Sequence, residues 1–288
     1  MVLGSGFMGS GIAQVCANGG FKTILWDLTE DLTKKAVEKI AAGLDARIAK
    51  GKDTEEHKQQ LLANLFTTTD LSEAKEADLV IEVIIENEQI KLDTFKKLDG
   101  YLKEDAFVAS NTSYLSITKL ATALSKPERF VGMHFFGPVP AMKLLEIIRG
   151  EKTCDCAVEA AKEVAAAIGK TPVVVEKDTA GFIVNRLNAA LRIEAYRIYE
   201  EGIGSIEDID TACKMGLNHP MGPFELNDMS GIEIGLSGLD TLYKTSGEER
   251  WHAQGKAREL VANKEFGRKT GKGWYIYENG TKITRDDL

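Results

Sequence analysis

Between Met1 and Asp178, short apolar runs alternate with longer tracts in which apolar residues recur every three or four positions. The runs MVL, FKTILWDL, ADLVIEVI, DAFVAS, VGMHFF, KLLEII and TPVVVEKD have strand length and are bounded by turn-forming or polar residues. Helical spacing fills the tracts at 33–50, 54–63, 88–101 and 157–168. Strands alternating with helices predict an α/β fold, a doubly wound and mainly parallel sheet with helices on both faces. From GFIVNRLNAALRIEAYRIYEEG onward the spacing is helical, and no long strand pattern returns before WYIY. The chain therefore reads as a sheet domain over 1–181 and a smaller all-helical domain over 182–288.

The first run leads into GSGFMG, which places Gly4, Gly6 and Gly9 between a strand and a helix of small residues. In that context the first glycine allows a tight turn, the second lets backbone approach a pyrophosphate, and the third lets helix pack on strand. The helix N-terminus then faces the phosphates. Asp27, at the end of the second run, would accept hydrogen bonds from ribose hydroxyls and repel a 2′-phosphate, favouring NAD over NADP. The expected domain is Rossmann-like. Only Met1, Val2 and Leu3 precede Gly4, fewer than the five or six residues that such a strand has on average.

Composition narrows the partners. The formal net charge of -8 over 288 residues argues against a nucleic-acid surface, which shows as a basic excess. No apolar run has the length of a membrane span, and the amino end carries no signal-peptide pattern. Cys16, Cys154, Cys156 and Cys213 are too few for a disulfide framework, and TCDCA lacks the companion ligands of a metal site. Reduced cysteines and a cytoplasmic location are expected.

Two ionisable residues interrupt apolar runs: His134 in VGMHFF and Glu146 in KLLEII. Burying either alone costs several kcal/mol. They stand nearly equidistant from Pro140, so strands folding back there would bring them together. A neutral imidazole oriented by a carboxylate is suited to proton transfer near neutral pH. Ser113 follows DAFVAS at the carboxyl edge of the sheet, where it serves equally as a turn residue or a ligand contact. Asn185 lies early in a helix and reads as a cap or a site residue. Lys50 reads as a helix-end lysine or an anion contact. His57 and His252 read as solvated surface residues, and His219 as a turn or interdomain residue.

Taken in order, GSGFMGSGIAQ, ADLVIEVIIEN, SNTSYLSI, MHFFGPVPAMKLLEII, TAGFIVNRL, NHPMGPFELNDMSG and GRKTGKGWYIY resemble the 3-hydroxyacyl-CoA dehydrogenases across essentially the whole chain. The resemblance is strongest to the bacterial 3-hydroxybutyryl-CoA dehydrogenases. It implies reversible, NAD-dependent oxidation of an (S)-3-hydroxyacyl-CoA, such as 3-hydroxybutyryl-CoA, to the 3-oxoacyl-CoA, such as acetoacetyl-CoA. His134 would then be the acid/base and Glu146 its orienting carboxylate, with Ser113 and Asn185 holding the reacting oxygen. Glu86 and Lys91 would line the nicotinamide half of the cofactor site, which Ser113 also borders. Lys269 would be a more distant cofactor contact, and Lys50 would meet the CoA moiety. The resemblance further implies a helical carboxy-terminal domain that contributes to the substrate cleft and forms a homodimer. Where the family carries Asn after HFF, this chain has Gly137. An asparagine restored there is expected to fold and to tighten NADH binding modestly.

Overall fold

A computed structural model describes residues 1–253 and 255–288. The chain divides into two compact units, Met1–Thr179 and Ala180–Leu288.

The first unit is built on eight strands: β1 (Val2–Leu3), β2 (Thr23–Trp26), β3 (Leu65–Thr68), β4 (Leu79–Glu82), β5 (Phe107–Ser110), β6 (Phe130–Phe135), β7 (Leu144–Ile148) and β8 (Thr171–Val175). They lie in the order β3-β2-β1-β4-β5-β6-β7-β8. Every neighbouring pair is parallel except β6 and β7. The reversal of order between β1 and β4 is the switch point at which doubly wound sheets bind ligands. β1 is short, yet it is held from both sides, with Val2 opposite Leu25 and Ile81.

Helices α1 (Phe7–Asn18), α2 (Glu30–Ile48), α3 (Glu55–Ala63), α4 (Glu88–Asp99), α5 (Ile117–Ala121) and α6 (Asp155–Ala167) belong to this unit. Five begin at side chains that accept a first-turn amide: Thr29, Thr54, Asn87, Ser116 and Cys154. Such caps satisfy donors that a helix cannot pair internally. The core joins Val2, Ile12, Leu25, Ile81 and Val131 from sheet and helix, with Val158 and Ala161 of α6 packed into it.

Two elements escaped the hydrophobic pattern. In β3, Phe66 and Thr67 are exposed at the sheet edge, so alternation is lost. Helix α5 has five residues, too few to display a period. The reading of all four cysteines as reduced is corrected for one pair, since Cys154 and Cys156 form a disulfide. Cys154 is the extended cap of α6, and the turn into the helix brings Cys156 back beside it. Cys16 and Cys213 are free and buried.

The second unit contains α7 (Val184–Glu200), α8 (Ile206–Gly216), α9 (Pro223–Ser230), α10 (Ile232–Ser246) and α11 (Lys256–Ala262). A small antiparallel hairpin, β9 (Ile276–Glu278) and β10 (Thr281–Ile283), is added to the expected helices. Its turn is Asn279-Gly280, both at positive φ, the conformation that an Asn-Gly hairpin favours. In the centre of this unit Tyr196, Phe224 and Trp274 pack together, with Trp274 edge-on to Phe224 and tilted against Tyr196. Buried Asp228 accepts the amides of Trp274 and Tyr275 and pins GWYIY to α9. Among the described residues no helix is long and apolar enough to cross a membrane.

Candidate active site

The loop between β1 and α1 is shaped by its glycines. Gly4 has φ +107, a conformation that side chains with a Cβ rarely adopt, and its amide donates to Trp26 O at 2.9 Å. A Cβ on Gly9 would strike the Gly4 carbonyl, so only glycine lets α1 approach. A Cβ on Gly6 would instead meet nothing within 4 Å, because that face of the loop is open. No side chain caps α1, which leaves its first-turn amides for an anion. The Asp27 carboxylate, at the end of β2, accepts Ser5 N at 2.8 Å, Ser5 Oγ at 2.6 Å and Leu28 N at 2.7 Å. An open glycine face, bare helix amides and an acidic strand end fit a dinucleotide with a free 2′-hydroxyl.

The antiparallel hairpin β6–β7 places His134 directly opposite Glu146. His134 Nδ1 lies 2.8 Å from Glu146 Oε2, and both side chains are buried. A carboxylate can only accept, so Nδ1 carries the proton and Nε2 is left as an acceptor. Ser113 Oγ stands 3.0 Å from that Nε2. The sequence and the hairpin together thus create a line of serine, imidazole and carboxylate at the carboxyl end of the sheet.

Ser113 is itself held from β4 and α4. Glu86 accepts the Ser113 amide at 3.0 Å and the Thr112 hydroxyl at 2.5 Å. Lys91 lies 3.3 Å from Glu86 and 2.5 Å from Glu82, and its ammonium also donates to Ile84 O at 3.3 Å. Glu82 is 0% exposed and takes two further donors, Ile84 N at 2.7 Å and Ser110 Oγ at 2.6 Å. Burial pushes the Glu82 carboxyl up, against the pull of Lys91 and of the Ser110 and Ile84 donors. Above these groups lies a pocket of about 330 Å³ lined by Met8, Val83, Glu86, Lys91, Asn111 and Ser113, among others. A cavity of about 360 Å³ elsewhere in the unit is lined by residues such as Phe21, Ile24 and Val164, and none of the groups above borders it. Chemistry, not volume, selects the smaller pocket.

The structure brings together Ser113, His134, Glu146, Glu86 and Lys91. Gly4, Gly6, Gly9 and Asp27 form the neighbouring loop. Lys50 is exposed just beyond the end of α2. Asn185, half-buried, occupies the first turn of α7 in the second unit. Lys269 in the same unit pairs with Glu233. His57 is not simply solvated, since it bridges Asp53 and Asn18. His252 stacks on Tyr243 with ring centroids 4.7 Å apart. Sequence reading missed Glu82, although its signal equals that of His134: an acid within the apolar run ADLVIEVI. Lys170, whose ammonium donates to Val139 O and Met142 O in the β6–β7 turn, gave no signal, because its partners are carbonyls.

Comparison with known proteins adds independent weight. Residues 1–179 match the family model described as 3-hydroxyacyl-CoA dehydrogenase, NAD binding domain, and residues 181–277 match its C-terminal domain. A 3-hydroxybutyryl-CoA dehydrogenase of Clostridioides difficile is 40% identical over 276 residues, covering 96% of this chain and 98% of that protein. The human mitochondrial hydroxyacyl-coenzyme A dehydrogenase is 43% identical over 285 residues, covering 96% and 90%. The crystal structure of (S)-3-hydroxybutyryl-CoA dehydrogenase PaaH1 from Ralstonia eutropha superposes with a TM-score of 0.92 at 41% identity, covering 96% and 98%.

Proposed function

We infer the role of each residue from the premise that the chain belongs to the 3-hydroxyacyl-CoA dehydrogenase family. It is an NAD-dependent oxidoreductase that interconverts 3-hydroxyacyl-CoA and 3-oxoacyl-CoA. NAD, when bound, supplies the acceptor for the substrate's hydride. The chain must bind and orient both partners and move one proton. His134 Nε2 takes the alcohol proton during oxidation and returns it during reduction. Glu146 fixes the imidazole tautomer and balances the cation that forms in a dry site. Ser113, within reach of Nε2, marks where the substrate oxygen sits. The observation that carries this reading is the buried His134–Glu146 pair with Ser113 on the opposite nitrogen.

Gly4, Gly6 and Gly9 cradle the pyrophosphate, and Asp27 takes the ribose hydroxyls. Glu86 and Lys91 face the nicotinamide. Lys50 meets the CoA moiety, on which an exposed cation acts through screened attraction. The names of the relatives support short acyl substrates, acetoacetyl-CoA and 3-hydroxybutyryl-CoA. We further assign a homodimer formed by the helical unit and a cytoplasmic location. The decisive assay follows NADH absorbance after addition of acetoacetyl-CoA, with acetoacetate as control. Rapid loss with the thioester alone supports the reading. Equal turnover of the free acid, or none of either, overturns it.

A further inference from the structure

We propose that Glu82 is a positioning residue that acts through Lys91 to bias the cofactor site toward the oxidised dinucleotide. Lys91, 1% exposed, is flanked by two carboxylates, Glu82 at 2.5 Å and Glu86 at 3.3 Å. One ammonium and two carboxylates leave the set with a charge of −1. The set borders the pocket through Glu86 and Lys91. The pocket follows the carboxyl ends of β4 and β5, the edge at which doubly wound sheets bind their ligands. The oxidised nicotinamide ring carries a positive charge and the reduced ring none. A negative set bordering that pocket therefore favours the oxidised form, whatever the rest of the cofactor contributes equally to both.

The burial pattern assigns this bias to Glu82. Glu86 is 43% exposed, so its charge is shared with water and salt. Glu82 is fully buried, with Lys91 and Ile84 N on one oxygen and Ser110 on the other. Those contacts fix it in place and keep its field unscreened. They also hold Lys91 where it can touch Glu86, which in turn carries the Ser113 amide. A residue remote from the reacting atoms thereby governs both charge and geometry.

The inference rests on the NAD reading, and binding of both cofactor forms to the wild-type protein checks that reading separately. The test is the ratio of dissociation constants for NAD⁺ and NADH, by calorimetry and NADH fluorescence, in wild type, Glu82→Gln and Glu82→Asp. Removing one unscreened charge from the set that borders the pocket should raise Kd(NAD⁺)/Kd(NADH) about tenfold in Glu82→Gln. Glu82→Asp keeps the charge and should leave the ratio within about twofold of wild type, even if both constants weaken. If Glu82→Gln changes both constants by one factor, or Glu82→Asp moves the ratio as far, the residue is only structural and the proposal fails. The wild-type protein provides an arm that needs no variant. Between about 0.05 and 0.5 M salt its ratio should hold, because a buried charge is weakly screened. A ratio that collapses with salt would transfer the bias to exposed Glu86 and overturn the assignment.

Discussion

At the scale of single residues, the site works by pairing groups that would be costly alone. Neither His134 nor Glu146 could be buried without its partner. His134→Ala should lower kcat by about 10²–10⁴-fold with little change in NADH binding, as removal of a general acid–base does. Glu146→Gln should also lower kcat, because an amide can hold the ring but cannot balance an imidazolium. Steady-state rates with a parallel NADH titration check both; near-normal turnover in either would break the assignment. Gly137 bears on the expectation that asparagine is accepted there. It has no positive φ, so backbone strain is no obstacle to asparagine. A Cβ there would lie 2.8 Å from Phe7 Cε1 and 3.3 Å from Met8 Sδ, both at the ends of flexible side chains, and Phe7 is 60% exposed. Gly137→Asn should therefore turn the Phe7 ring outward, keep a melting temperature near that of wild type and bind NADH modestly more tightly. Phe7→Ala combined with Gly137→Asn should then melt like the single variant. A single variant that melts far lower, with the loss recovered in the double, would show that the Phe7 ring cannot move aside.

At the scale of elements, the β6–β7 hairpin carries the chemistry, and its turn is secured from outside. The Lys170 ammonium, beyond the end of α6, reaches the carbonyls of Val139 and Met142. Burial pushes the Lys170 amine down from its ordinary value. On the other flank, Asn111 Oδ1 accepts the Phe135 amide at 2.8 Å and ties β6 to the loop that bears Ser113. Lys170→Met should leave two carbonyls without their donor, costing about 2 kcal/mol and reducing kcat as the His134–Glu146 register loosens. Lys170→Arg should restore part of each. Chemical denaturation and kcat measured on the same samples decide this; a destabilised variant with full kcat would confine Lys170 to stability.

At the scale of the whole molecule, pH acts on the helical unit through its buried carboxylates. Desolvation raises the Glu225 carboxyl, but hydrogen bonds from Lys282, Lys214 and the Gly222 amide prevail and hold it at about 2, against an ordinary 4.5. A depressed acid stabilises the fold fully above about 4.5, and that contribution disappears as pH falls toward 2. Glu225→Gln should cost on the order of 2 kcal/mol at pH 7 and much less near pH 2. Asp228 runs the other way, pushed up to about 6 by burial, so it removes stability as pH rises from about 4 to 6. Because Asp228 is common to both proteins, the difference in melting temperature between variant and wild type isolates Glu225. A difference that stays constant from pH 7 to pH 2 would refute the ion-pair account.

Much of this protein was legible in its residues because the signals were local or periodic. The GSGFMG turn, the alternation of strands and helices, and the acid ending FKTILWDL each follow from spacing along the chain. So does the oddity of a histidine and a glutamate inside apolar runs, at equal remove from one turn. Other features depended on contacts between residues far apart in sequence. The exposed edge strand β3 has no period because one side of it faces solvent. The bonds from Ser113 to His134 and to Glu86 arise only when β4, β5 and β6 stand side by side. The contact at Gly137 exists only because Phe7, 130 residues earlier, is folded against it. Periodicity reports which face of an element is buried; it carries no information on which side chain will meet it there. That choice belongs to the packed sheet, where a few ångströms decide whether a charge is paired.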